Sequence, residues 1–373
     1  MTAPAKGERR YHFARPRIPN LVLNWRKNAL MIIFALLAAR LFVPLLADLD
    51  DSWDVIADMR WPWVVAAILL QTVSFLGSGV LLKGLVRVGG GDISVLRGTA
   101  VTLASKAVGM VAAGIVGATA STYAWCQDGG GNREGAGLAA TLKPVFNNGV
   151  LLLASVYGCT HLFIRHELTG AEAIGFASTL GLLLTLGSLA WYFTKNPKAI
   201  DAPLNKVFAL LAKIRRKSYD PDAHSFRVER NINRMRNTGQ ALRSGGWRMP
   251  TAGAIINVAF DALTVLALFR ATNSDIGLGV MFTGYSVALL IGKAAVVPGG
   301  IGVVEATMAS IYTQLGQPEV IVLSVVIAFR ILSLWIPVLL GIPAAFGLQR
   351  GRGRLREIKG SYPGLTTPTT SGQ

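Results

Sequence analysis

The chain has 373 residues, 52% of them hydrophobic and only 15% charged, with a mean hydropathy of +0.46; a soluble domain carries roughly 25% charged residues, so a soluble enzyme or binding module is excluded. The net charge of +17 lies mainly in the tails and one central loop, as the positive-inside bias of membrane proteins requires. No recognition motif accompanies it, so nucleic acid is not an expected partner.

Residues 1–27 hold seven Lys/Arg, including Arg9, Arg10, Arg26 and Lys27, against Glu8. Pro4, Pro16 and Pro19 discourage a long helix there. The segment reads as a cytoplasmic tail rather than a cleaved leader, because the apolar run behind it continues to Leu46 without a small-residue cleavage site. A first span is expected over 28–47. The acidic stretch 48–60, with Asp48, Asp50, Asp51, Asp54 and Asp58, then belongs outside. Trp53, Trp61 and Trp63 fit an interfacial aromatic belt. A second span over 62–82 returns the chain to Lys83, Arg87 and Arg97.

Residues 98–123 are rich in Gly and Ala, with Lys106 inside the segment. If they crossed once, the central basic loop would face outside. A re-entrant hairpin keeps that loop inside, and so does a fully crossing pair of helices; the same two readings hold for 280–315. The Gly-rich segment 124–137 lacks the Gly-Lys-Ser/Thr ending of a phosphate loop and reads as a flexible connection. Spans over 138–163 and 172–193 follow; Lys143, Pro144, Asn147 and Asn148 make the first of them polar at its start, with Asn147 a candidate for lining a cavity. Residues 194–249 hold 13 Lys/Arg against four acids. Leu204, Val207, Phe208, Leu211 and Ile214 recur there at helical spacing, which predicts a basic amphipathic helix on the inner leaflet.

The next span, 251–270, carries Asp261 in mid-span. An ionisable residue there faces inward, either as the partner of a buried cation or as part of a transport path. Residues 280–315 are interrupted by Pro298, Gly299 and Gly300, which cannot continue an ordinary helix. Lys293 precedes the break, and Gly302 and Glu305 follow it. Broken helices survive at membrane depth only where protein or a wet cavity satisfies the freed backbone groups. A last span, 320–347, contains Arg330, Pro337 and Pro343 and is expected to kink. Glu305 is the candidate partner for Arg330. Arg350 to Lys359 mark a second cytoplasmic tail, and the chain from Gly360 on has too little apolar content to pack.

Lys106-Ala107 aligns with Lys293-Ala294 at an offset of 187; Gly114, Val116, Ala118 and Thr119 align with Gly302, Val304, Ala306 and Thr307 at 188. The expected fold is therefore all-α and polytopic: about six full spans plus two broken, re-entrant helical hairpins, 98–123 and 280–315, in an inverted repeat. The layout is a tail (1–27), a first membrane half (28–193), a cytoplasmic loop (194–249), a second half (250–348) and a tail (349–373).

VVPGGIGVVEA, followed by Gly316, Phe329-Arg330-Ile331 and IPVLLGIPAAF, resembles the lysylphosphatidylglycerol synthase transmembrane-region family, also called flippase-like or UPF0104 proteins. The resemblance is clearest over 230–348. It implies a carrier of lipids or polyprenyl-linked lipids. This sequence lacks the soluble aminoacyl-transferase domain of the two-part enzymes, which argues against synthase activity.

The expected function is movement of a phospholipid, an aminoacylated phospholipid or a polyprenyl-phosphate lipid across the plasma membrane, with both termini cytoplasmic. Anionic membrane lipids are the expected partners of the basic loops. Headgroup candidates are Lys293, Pro298, Gly299, Gly300, Gly302, Glu305, Arg330, Lys106, Asp261 and Asn147. The amides of Gly299, Gly300 and Gly302 are expected to be free for a phosphate at the following helix N-terminus. No catalytic residue, metal or cofactor is expected. Cys126 and Cys159 and the four histidines form no ligand spacing. Alternatives are an adaptor that holds a lipid-modifying or glycosylation enzyme through the 194–249 loop and, further off, an enzyme acting on a lipid-linked substrate.

Overall fold

The apolar runs of the sequence fold as helices, and the breaks between them fall at Gly and Pro. The computed structural model describes residues 55–111, 114–164, 181, 245–295 and 297–361. The segments expected as spans over 28–47 and 172–193 and as the amphipathic helix of the 194–249 loop lie outside the described residues, apart from 181 and 245–249. All described residues belong to one unit, Asp50–Gln373, and none of them forms a strand.

The first half consists of α1 (Trp61–Val88), α2 (Val95–Val111), α3 (Ile115–Asp128) and α4 (Arg133–Ile164). The second consists of α5 (Arg248–Ala271), α6 (Leu278–Ala294), a 3₁₀ turn (Pro298–Gly300), α7 (Val303–Gln314), α8 (Glu319–Arg330), a π segment (Ile331–Trp335) and α9 (Ile336–Ser361). Among the described residues, four stretches are long and apolar enough to cross a membrane: Trp61–Val88, Arg133–Ile164, Arg248–Ala271 and Glu319–Gln349.

The order long helix, 17-residue helix, shorter helix, long helix is the same in both halves. The two breaks also correspond. Gly114 (φ 56°) and Gly302 (φ 81°) stand at the N-caps of α3 and α7. Positive φ is strained for residues with a Cβ, which is why both matched positions are glycine. Ahead of the second break, Val297 is held extended (φ −96°, ψ 129°), as the ring of Pro298 demands of its predecessor.

Packing between the halves is reciprocal. α1 runs antiparallel along α5: Gln71 meets Asp261, Ser74 meets Asn257, Gly253 faces Leu81 and Gly84 faces Pro250. α2 packs on α9, where Gly341 faces Leu103, and the corresponding α6 packs on α4, where Gly158 faces Thr283. Corresponding helices that cross antiparallel, with each hairpin held by the long helix of the other half, define an inverted repeat. The hairpins meet at their breaks, where Met110 of α2 lies against Gly299.

Three boundaries differ from the sequence reading. The connection expected over 124–137 is only Gly129–Asn132, because α3 runs to Asp128 and α4 starts at Arg133. Asn132 closes it by donating from Nδ2 to the Gly89 carbonyl and accepting from the Gly135 N–H at 2.7 Å. The last apolar span, Glu319–Gln349, ends close to the expected 347, but its helix does not: the basic continuation remains helical to Ser361. Its expected distortion takes the form of the π segment that ends two residues before Pro337, while the helix passes through Pro343.

Candidate functional site

The polar groups of the apolar helices gather about halfway along them. Asn148 stands near the middle of α4, Ser333 near the middle of Glu319–Gln349, and Asp261 near the middle of α5. Lys293 donates to Asn148 Oδ1 at 2.9 Å, and Lys106 donates to the Ser333 carbonyl at 2.9 Å. The two aligned lysines therefore do equivalent things: each reaches from its hairpin to the long helix of the opposite half. Each hairpin has its break beside the middle of a long helix of the other half.

The Ser333 carbonyl is available for a reason. In an α-helix it would accept from the N–H of residue 337, but Pro337 has none. Lys106 fills the gap, with its ammonium also 5.0 Å from the Phe75 ring centre. Pro337→Ala would supply the missing donor. Lys106→Met is therefore expected to destabilise the natural protein by about 1.5–3 kcal/mol, the range for hydrogen bonds to charged groups, and the P337A variant by less. A double-mutant cycle on thermal unfolding in detergent measures that difference.

Glu305 and Arg330 stitch the break of the second hairpin. Arg330 Nε donates to Glu305 Oε1 at 2.6 Å, with the two side chains 4% and 6% exposed. Arg330 also donates to the Gly299 carbonyl at 2.8 Å. Glu305 Oε2 accepts the Gly302 N–H at 2.8 Å, so this carboxylate caps α7 where an external anion would otherwise sit. The expectation of free turn amides is corrected here: the Gly302 amide is taken by Glu305, and the Gly300 amide donates to the Val297 carbonyl at 3.0 Å. Arg330 and Glu305 neutralise each other and support the turn. Gly300 is buried, Pro298 half-buried, and Gly299 and Gly302 exposed.

Among the described residues, Asp261 is not the direct partner of a cation. Its oxygens accept from Gln71 Nε2 and the Tyr285 hydroxyl, each at 2.8 Å. It lies near enough to attract both Lys106 and Lys293 without touching either. Beside it, Asn147 donates to Asn257 Oδ1 at 3.0 Å, and Asn257 donates to the Ser74 carbonyl and hydroxyl at 2.9 Å. Asn147 is thus tied across helices rather than free to line a cavity with its amide nitrogen.

Lys293 is the one headgroup candidate among the charged residues that combines exposed surface with a position beside a break. Gln71, Ser74, Tyr285 and Ser333 were not singled out in the sequence. Only Ser333 carried a usable signal, a proline four residues downstream. Among the described residues, no group of three or more His, Cys, Asp or Glu could hold a metal ion.

A family model described as the lysylphosphatidylglycerol synthase transmembrane region matches residues 30–341. No curated protein matches the chain.

Proposed function

The chain belongs to the lysylphosphatidylglycerol synthase transmembrane-region family, and from that membership we propose that it translocates a lipid with a phosphate-bearing headgroup across the plasma membrane, without covalent chemistry on it. The observation that carries the reading is Lys293. It is an exposed ammonium at mid-helix depth, one turn before a broken hairpin, in an inverted repeat. A lipid head pays heavily to leave water. A polar flank beside the acyl chains lowers that cost while the tails stay in hydrocarbon. Inverted hairpins meeting at their breaks supply two related states, open to opposite faces.

The basic segments 1–27, 194–249 and 350–359 belong to the cytoplasmic face in this reading, against anionic lipids. They also offer a surface on which a lipid-modifying enzyme can dock. The family description names a region of a lipid-modifying synthase, which supports a lipid cargo.

Vesicles reconstituted with the purified chain and a fluorescent phospholipid test the proposal. Lipid movement between leaflets is expected, with a loss of about tenfold in Lys293→Ala, the equivalent of one charge-assisted hydrogen bond. Lys293→Arg is expected to retain part of the rate. An unchanged rate in K293A at equal folded yield removes Lys293 from the path; no movement with the natural chain removes the translocator reading.

A further inference from the structure

Three lysines converge on the mid-helix region, and one of them has no part in the account so far. Lys143 of α4 donates to Thr102 Oγ1 of α2 at 2.9 Å. Thr102 and Lys106 are four apart on one face of α2, so Lys143 is anchored on that face one helical turn before Lys106. On α4, Asn147 follows Lys143 by one turn, and Asn148, the acceptor for Lys293, comes next. Lys106 is near enough to repel both Lys143 and Lys293.

Each ammonium has three donors and, among the described residues, one hydrogen-bond acceptor: Ser333, Thr102 and Asn148. Among the described residues, none of the three is within ion-pair distance of a carboxylate. Arg330 and Glu305 cancel each other. Among the described residues, that leaves Asp261 as the carboxylate facing three lysines, a formal excess of two positive charges at a depth where uncompensated charge is costly.

We infer that Lys106, Lys143 and Lys293 form one anion site whose ligand is a lipid with a terminal phosphomonoester or diphosphate headgroup. A phosphodiester lipid brings one negative charge and would leave the cluster short. An aminoacylated phosphodiester brings a further cation. A phosphomonoester carries about −1.5 to −2 at neutral pH and three acceptor oxygens, which matches both the excess charge and the unused donors. The inference rests on the translocator reading for the entry of a lipid, while the charge balance of the site stands by itself.

The test is native mass spectrometry of the full chain in detergent, offered equal amounts of phosphatidate, a polyprenyl monophosphate, phosphatidylglycerol and lysylphosphatidylglycerol. The two monoesters are expected to be retained about tenfold over the other lipids. Lys143→Met should erase about that factor, and Lys83→Met, half-buried beside Asp92 and away from the cluster, should leave it in place. The preference is read on the natural chain, so it holds even where K143M does not fold. Equal or better retention of phosphatidylglycerol or its lysyl ester overturns the inference, and vesicle scrambling with such a result leaves the translocator reading standing. Monoester retention without lipid movement does the reverse. Displacement of the monoester lipids by millimolar inorganic phosphate or pyrophosphate at unchanged affinity makes the ligand a free phosphate and overturns the lipid assignment.

Discussion

Glu305→Ala is expected to cost about 3–5 kcal/mol of stability, the range for breaking a buried ion pair from one side. The loss follows from three contacts. Arg330, 4% exposed, would keep its charge without a carboxylate. The Gly302 N–H would lose its acceptor, and α7 its cap. The turn would then keep only the Arg330 contact to the Gly299 carbonyl and its own Gly300 N–H bond to the Val297 carbonyl. Thermal unfolding of the purified chain in detergent reads the effect. Glu305→Gln keeps one acceptor oxygen, for Arg330 or for the Gly302 N–H but not for both, and should lose less than alanine. The double variant Glu305→Met with Arg330→Met should recover part of the loss, because an apolar pair of similar volume often replaces a buried ion pair at little cost. E305A melting with the natural chain would show that the pair does not support the break. A transport defect in E305A therefore assigns a headgroup role to Glu305 only at equal folded yield.

Gly253→Ala is expected to cost about 1–3 kcal/mol or more, as overpacking of a close contact does. A Cβ at 253 would stand 2.3 Å from the Leu81 nitrogen, 2.7 Å from its Cα and 2.9 Å from the Gly77 carbonyl oxygen. All three are backbone atoms, so no side chain can turn aside; α1 and α5 must move apart. Small residues let membrane helices approach this closely. Gly149→Ala is the contrast. Nothing lies within 4 Å of the position a Cβ would take there, in the middle of α4, and alanine should gain about 0.5–1 kcal/mol over glycine. Paired melting curves decide the matter: equal shifts for the two variants would show that the α1 and α5 contact is not tight.

Both hairpin breaks were legible in the sequence, because Pro298 forbids the helix locally and the offset match carried the second break to Gly114. The Glu305 and Arg330 pairing was legible by elimination, since two opposite charges in apolar helices need each other. The partners of Asp261 were not. Gln71 lies 190 residues away, and a neutral donor leaves no charge signal to match. The Lys106 acceptor is a main-chain carbonyl, which no residue type announces. The turn amides were misread because a capping carboxylate and an incoming phosphate use the same donors, and composition does not rank them. The 124–137 connection was read as too long because glycine content says nothing of how far two flanking helices extend by packing.

The clasp between halves has a consequence for biogenesis. Lys106 leaves the ribosome 227 residues before the carbonyl that receives it, and the α9 face that covers α2 follows later still. The nascent first half must therefore be held in or beside the insertion machinery with an ammonium unsatisfied, or keep its hairpin at the interface, until synthesis has passed Pro337. A chain arrested before that point is a ready substrate for membrane quality control.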